Sequence, residues 1–185
     1  LDKVTNGINM VIFKSLKKEL LSKHPNRIFI ETGSQYGHGI DVALQCDFEK
    51  IYSIDIDSKY HAHCNNRFPD QVESKQLELF IGDSAKMLKK ILDQIDEPAT
   101  FWLDAHGGWG GGGTICPLIA ELKQISEHYI KTHTILIDDR RMFGKYWGVG
   151  LSEQDVIDLV KDINEDYKIE YANGAEPKDI IVVYA

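Results

Sequence analysis

FIETGSQYGHG, residues Phe29–Gly39, decides how this chain is read. An apolar run stops at an acid, Glu31, and a glycine-containing turn then opens into a new segment. Strand, turn and helix in that order bring backbone N–H groups and a helix N-terminus to the carboxyl end of a strand. Nucleotide-like ligands bind at such places in open α/β sheets. The acid narrows the choice of ligand. A carboxylate here repels a dinucleotide pyrophosphate and attracts a ligand with a cationic amino-acid portion, which points away from NAD and toward S-adenosylmethionine.

Working outward, short apolar runs alternate with helical patterns. Strands are predicted at Arg27–Glu31, Ile51–Asp55, Leu77–Ile81, Thr100–Asp104 and Thr134–Asp138, with helices near Gly39–Cys46, Lys59–Phe68, Ala85–Leu92 and Pro117–His128. Consecutive βα units of this length imply a parallel, doubly wound sheet. Ahead of it, Val4, Ile8, Val11, Ile12, Leu16 and Leu20 recur at helical spacing and predict a covering helix within residues 1–24. Ser152 and Asp155 form a capping-box signature before another apolar-periodic run. The last two strands, Tyr167–Ala172 and Asp179–Tyr184, are too close in sequence for anything but a hairpin, so the final strand should run antiparallel. The expected fold is therefore α/β: a Rossmann-like sheet of five parallel strands plus a C-terminal β-hairpin.

The 185 residues, 43% of them hydrophobic, suffice for one core and one domain. The net charge of −8 speaks against a nucleic-acid-binding surface, which would show a basic face. Cys46, Cys64 and Cys116 are widely spaced and fit reduced thiols rather than a disulfide framework or zinc site. No apolar run is long enough to span a bilayer. The chain starts at Leu1, which reads as a domain excised from a longer polypeptide, and the default location is cytoplasmic.

Parallel strands place all their carboxyl ends on one edge, and here that edge collects Glu31, Asp55, Asp83, Asp104 and Asp138. Asp55 follows Gly33 by 22 residues, close to the ~20-residue spacing at which an acid accepts a ribose diol. Asp57 is the alternative, although it suits the cap of the following helix better. Gly82-Asp83-Ser84 either meets an adenine ring or caps the next helix. The fourth and fifth strands should be neighbours, ~4.8 Å apart, so that Asp104, Asp138 and Asp139 converge. Carboxylates so close must take up protons or hold a cation, and all-oxygen ligation suits Mg²⁺, Mn²⁺ or Ca²⁺ rather than zinc. Alternatively, Asp139 turns outward and pairs with Arg140 or Arg141. His106 stands at the mouth of the same cleft, where an ordinary histidine pKa of ~6.5 suits a general base, and it could equally hydrogen-bond substrate or hold the loop. Trp109 in the glycine-rich loop 107–113, together with Tyr146 and Trp147, would form aromatic substrate loops over this edge. His61 and His63 face apart on a helix and read as surface residues.

The stretches ETGSQYGHG, IYSIDID, IGDSA, FWLDAHGG and ILIDD occur in the order of the class I S-adenosylmethionine-dependent methyltransferase motifs, and the resemblance covers nearly the whole chain. The LDAH…IDD pair resembles the metal-binding acids of metal-dependent sugar O-methyltransferases and, more distantly, of the catechol type. The glycine loop with CPLIAEL is similar to methyltransferases attached to glycan-assembly proteins, including rhamnose-methylating domains of chlorovirus glycan-synthesis proteins. The resemblance implies cofactor binding by Glu31, Thr32, Gly33, Ser34, Gly37, Asp55, Ile56, Gly82, Asp83, Ser84 and Asp104, a divalent cation (Mg or Mn) on Asp104, Asp138 and Asp139, and Asp104 or His106 as base. It also implies a sugar or glycan acceptor and glycosyltransferase domains as partners in the same polypeptide. Two departures stand out: Ser34 replaces a glycine common in relatives, and glycine occupies the stretch where the catechol type carries its active-site lysine.

Overall fold

The computed structural model describes residues 15–105, 116–145, 148 and 150–185. Most of the predicted N-terminal helix, and His106, Trp109, Tyr146 and Trp147, lie outside the described residues. Within them, a seven-stranded sheet runs in the order β3-β2-β1-β4-β5-β7-β6. The strands are β1 (Ile28–Thr32), β2 (Lys50–Asp55), β3 (Leu77–Ile81), β4 (Ala99–Leu103), β5 (Thr134–Ile137), β6 (Lys168–Ala172) and β7 (Ile180–Tyr184). The first five are parallel, while β7 runs antiparallel to both β5 and β6, as the short connection required.

Successive side chains of a strand point to opposite faces, and the central strands feed two cores in alternation. Ile28, Ile30, Phe101, Leu103, Ile135 and Ile137 enter one core, while Phe29, Trp102 and Leu136 enter the other. The first core is closed by α5 (Ser84–Leu92), α6 (Leu118–Glu127) and α7 (Glu153–Ile163). The second is closed by α2 (His38–Leu44), α3 (Ser58–Arg67) and Leu21 of the short α1 (Lys18–Leu21). Burial on both faces explains the near-continuous apolar runs of β1, β4 and β5. A short helix α4 (Pro69–Glu73) was not foreseen; Pro69 at its first position starts it, because proline is pre-set for helical φ where no N–H is needed. The capping box at α7 forms as the sequence predicts, with Ser152 and Asp155 exchanging both bonds. No helix among the described residues is long and apolar enough to cross a membrane.

At the edge of the sheet opposite the acids, the backbone N–H of Ala99 donates to Nδ1 of His133 at 3.0 Å. His133 must therefore carry its proton on Nε2, which lies 2.9 Å from Nδ1 of His128. Burial first, and His128 second, lower the His133 pKa to about 3. The unfolded chain thus binds this proton and the native state does not, so stability is lost as pH falls below the ordinary histidine value. Wild-type protein should lose stability relative to His133→Gln by up to about 1.4 kcal/mol per pH unit between pH 6.5 and 5. Urea denaturation at both pH values checks this, and a constant difference would mean that His133 is charged in the fold.

Candidate active site

Because β1, β2, β4 and β5 are in register, Asp55, Asp104 and Asp138 stand in a row along one edge, and Glu31 sits two residues back from it on β1, opposite Ser53 and Trp102. Asp104 and Asp138 each follow the last strand residue, their N–H groups bonding Thr32 O and Leu103 O of the neighbouring strand at 3.1 and 3.2 Å. Gly33 lets the first turn pack directly on β4. Its φ is +89°, and a Cβ there would stand 2.5 Å from the carbonyl oxygen of Asp104.

Glu31 is 1% exposed. Its side chain points into the α2 side of the sheet, where Ser53 Oγ donates to Oε1 at 2.6 Å. Ser53 and Ser34 are also hydrogen-bonded. Since the Ser53 proton goes to Glu31, Ser34 is the donor to Ser53, which gives the serine in place of the common glycine a defined task. The other oxygen, Oε2, occupies the space over Gly39, where a Cβ would lie 1.8 Å away. Burial, offset in part by Ser53, raises the Glu31 pKa to about 8. Ser53 was not singled out from sequence; the serine interrupting the apolar run IYSID was the available signal.

Asp55 is occupied in a different manner. Its two oxygens accept from the backbone N–H of Gln35 and of Asp57, both at 2.8 Å, so it ties the first turn to the second. Asp57 caps α3 through Lys59 N, and Asp83 caps α5 through Ala85 N, as the capping alternatives held. Ile56 is half-buried directly after β2, and Ser84 is buried at the start of α5. His63 is exposed and packs edge-on against Tyr36, with ring centroids 5.3 Å apart.

An open cleft lies over the first turn and β4, lined by Glu31, Tyr36, His38, Trp102 and Asp104 together with Ser15 and Leu16. His38 Nε2 lies 3.1 Å from Leu16 O and ties this N-terminal segment to α2. Asp104 is hydrogen-bonded by Trp102, and burial together with Asp138 and Asp139 raises its pKa well above the carboxylate range. Asp138 is pushed up to about 7 by burial and by Asp139.

The tightest carboxylate group differs in membership from the predicted one. Asp138, Asp139 and Asp179 bring ligand oxygens within 4.8 Å of one another; Asp104 is not in this group, although the charges of Asp138 and Asp139 act on it. Asp139 adopts left-handed backbone (φ 58°), which aspartate tolerates; it pairs with Arg141, as the alternative reading expects, but stays within the carboxylate group instead of turning outward. Asp138 Oδ1 is buried and has no hydrogen-bond partner. That orphaned oxygen, in an all-carboxylate donor set, fits a hard divalent cation. Glu121 was also missed. It is buried on the first turn of α6 against Ser84 and Thr32, with its pKa raised to about 7 mainly by burial. Its place between Leu118, Leu122 and Ile125 on the apolar stripe of α6 was the sign in the sequence.

No protein-family model and no curated protein matches the sequence. Solved structures do resemble it. An O-methyltransferase from Bacillus cereus in complex with S-adenosylhomocysteine superposes with TM-score 0.59 at 14% identity, covering 91% of this chain and 78% of that one. The S-adenosylhomocysteine-bound Podospora anserina methyltransferase PaMTH1 gives 0.58 at 12% identity, over 90% and 75%. A methyltransferase from Geobacter sulfurreducens gives 0.60 at 12%, over 90% and 74%. This chain therefore has the class I methyltransferase fold, with its antiparallel last strand.

The contact between Glu31 and Gly39 has a direct consequence. Gly39→Ala should cost about 1–3 kcal/mol, as overpacking does. The Glu31→Ala/Gly39→Ala double variant should recover most of that cost, since the obstructed oxygen is gone. Denaturation of the four proteins in this cycle measures the coupling, and strict additivity would show that the carboxylate does not sit over Gly39.

Proposed function

We propose that this protein is an S-adenosylmethionine-dependent O-methyltransferase acting on a sugar hydroxyl, with rhamnose in a glycan or glycoside as the acceptor of first choice. The observation that carries this is the buried Glu31 carboxyl at one end of a cleft that Asp104 flanks, under the first turn of a class I methyltransferase fold. An acidic cleft of this kind suits a donor carrying an ammonium and a sulfonium, and disfavours a pyrophosphate. Asp55 and Asp83 lie farther along the same edge, beyond β1, where the adenosine portion would extend.

The residues have distinct tasks in this scheme. Glu31 and the turn Gly33–Gly37 hold the donor's amino-acid end. S-adenosylmethionine, when bound, would supply an electrophilic methyl to the acceptor oxygen, its sulfur keeping the electron pair of the broken carbon–sulfur bond. The hydroxyl proton passes to Asp104 or His106. Trp102 positions the Asp104 carboxyl, and burial beneath Ser15 and Leu16 limits water. Asp138 and Asp139, with Asp104, would hold a divalent cation, whose chemistry is to lower the pKa of the acceptor hydroxyl. The sugar acceptor and neighbouring glycosyltransferase domains in the same polypeptide follow from the LDAH…IDD resemblance.

Calorimetry should detect S-adenosylmethionine binding and none of NAD; the reverse result would replace the transferase reading with an oxidoreductase. An ammonium ionises Glu31, so binding releases a proton below pH 8. Donor affinity should therefore rise between pH 6 and 7.5 with a slope of up to about one log unit per pH unit, and Glu31→Gln should flatten it. Methyl transfer to rhamnosides, with catechols as the comparison acceptor, should vanish in EDTA and return with Mg²⁺ or Mn²⁺. Turnover undiminished by EDTA, or by Asp138→Asn, would remove the metal from the mechanism.

A further inference from the structure

The hairpin brings an additional acid to the cation edge. Strand β7 is antiparallel, so its first residues lie beside the carboxyl end of β5, with Ile181 opposite Ile137. Asp179 precedes β7 and is thereby carried next to Asp138 and Asp139. Its side chain is fully buried, and a Cβ placed on Gly174 would stand 3.2 Å from both Asp179 Cβ and Asp138 Oδ1. The unpartnered Asp138 oxygen is thus directed to the Asp179 side of the group.

Two of these three carboxylates share one guanidinium. Nη1 of Arg141 pairs with both Asp139 and Asp179. Unlike Asp179, the Arg141 side chain is 26% exposed and has a path to solvent. Its departure leaves the main chain anchored, because Arg141 N donates to Asp179 Oδ1 at 3.0 Å and Arg140 N to Asp179 O at 2.9 Å.

We propose that Asp179 belongs to the cation seat at this edge, and that Arg141 is the resident cation which a divalent metal displaces from it. This rests on the metal reading above. A seat compensated by an internal arginine keeps its carboxylates apart in charge when no metal is bound, and it makes metal affinity a competition between two cations. The rival account is that Asp179 only clamps the turn at Arg140–Met142. Asparagine separates the two, since it keeps the acceptor for Arg141 N and loses the charge.

Mn²⁺ binding to the whole chain, followed by the electron paramagnetic resonance signal of the free ion, is the test. Arg141→Met should bind Mn²⁺ about tenfold more tightly than wild type, the effect of removing one charge-assisted competitor. Asp179→Asn should bind about tenfold more weakly at an unchanged fold, and Asp138→Asn should not bind. Wild type silent while Arg141→Met binds also supports the exchange. Equal binding by wild type, Arg141→Met and Asp179→Asn overturns the inference and leaves the metal reading standing. No binding by either wild type or Arg141→Met overturns the metal reading and the inference with it. Should Asp179→Asn fail to fold, the Arg141→Met result decides alone.

Discussion

A carboxyl group buried at the head of a parallel sheet is the constraint around which this molecule is arranged. Glu31 projects from the central strand into an interior where ionisation is unfavourable, with Asp55 and Asp104 at the ends of the flanking strands. Like charges at such spacing in low dielectric cannot all persist without compensation. Much of the local sequence answers that problem. Serines at positions 34 and 53 supply a hydroxyl relay, Gly39 leaves room for the carboxyl oxygen, and the backbone N–H groups of Gln35 and Asp57 satisfy Asp55. These features stabilise an acidic edge that becomes most favourable when a cationic ligand occupies it.

The compensation differs from one half of the edge to the other. Around Glu31 and Asp55 it is made by hydroxyls, amides and protonation, so a positive ligand there has only the Glu31 proton to displace. On the far side it is made by a guanidinium, because Asp138, Asp139 and Asp179 crowd together at the entry of the hairpin. The antiparallel strand thus has a chemical consequence as well as a topological one. A parallel β7 would have delivered its first residue to the opposite edge.

Much of the edge was legible beforehand because strand periodicity and strand-end acids are local signals. Residues Ile28–Thr32 and Ala99–Leu103 alternate between two cores in the manner their apolar runs imply, and the acids after them fall on one side by necessity. Asp57 and Asp83 as helix caps were legible for the same reason, since capping acts over two or three residues. What escaped was long-range. Ser53 matters because β2 lies beside β1, Glu121 because α6 crosses beneath Thr32 and Ser84, and Asp179 because the last strand reverses direction.

The sequence by itself determined where the strands lie along the chain, the antiparallel hairpin and the acidic character of one sheet edge, because periodicity, turn chemistry and connection length operate within short segments. Only the tertiary structure decided which acids crowd together, which are satisfied by hydroxyls and amides, and where Arg141 lies among them. Those outcomes depend on distances between residues far apart in the chain, and charge interactions are set by distance and burial rather than by order along the backbone.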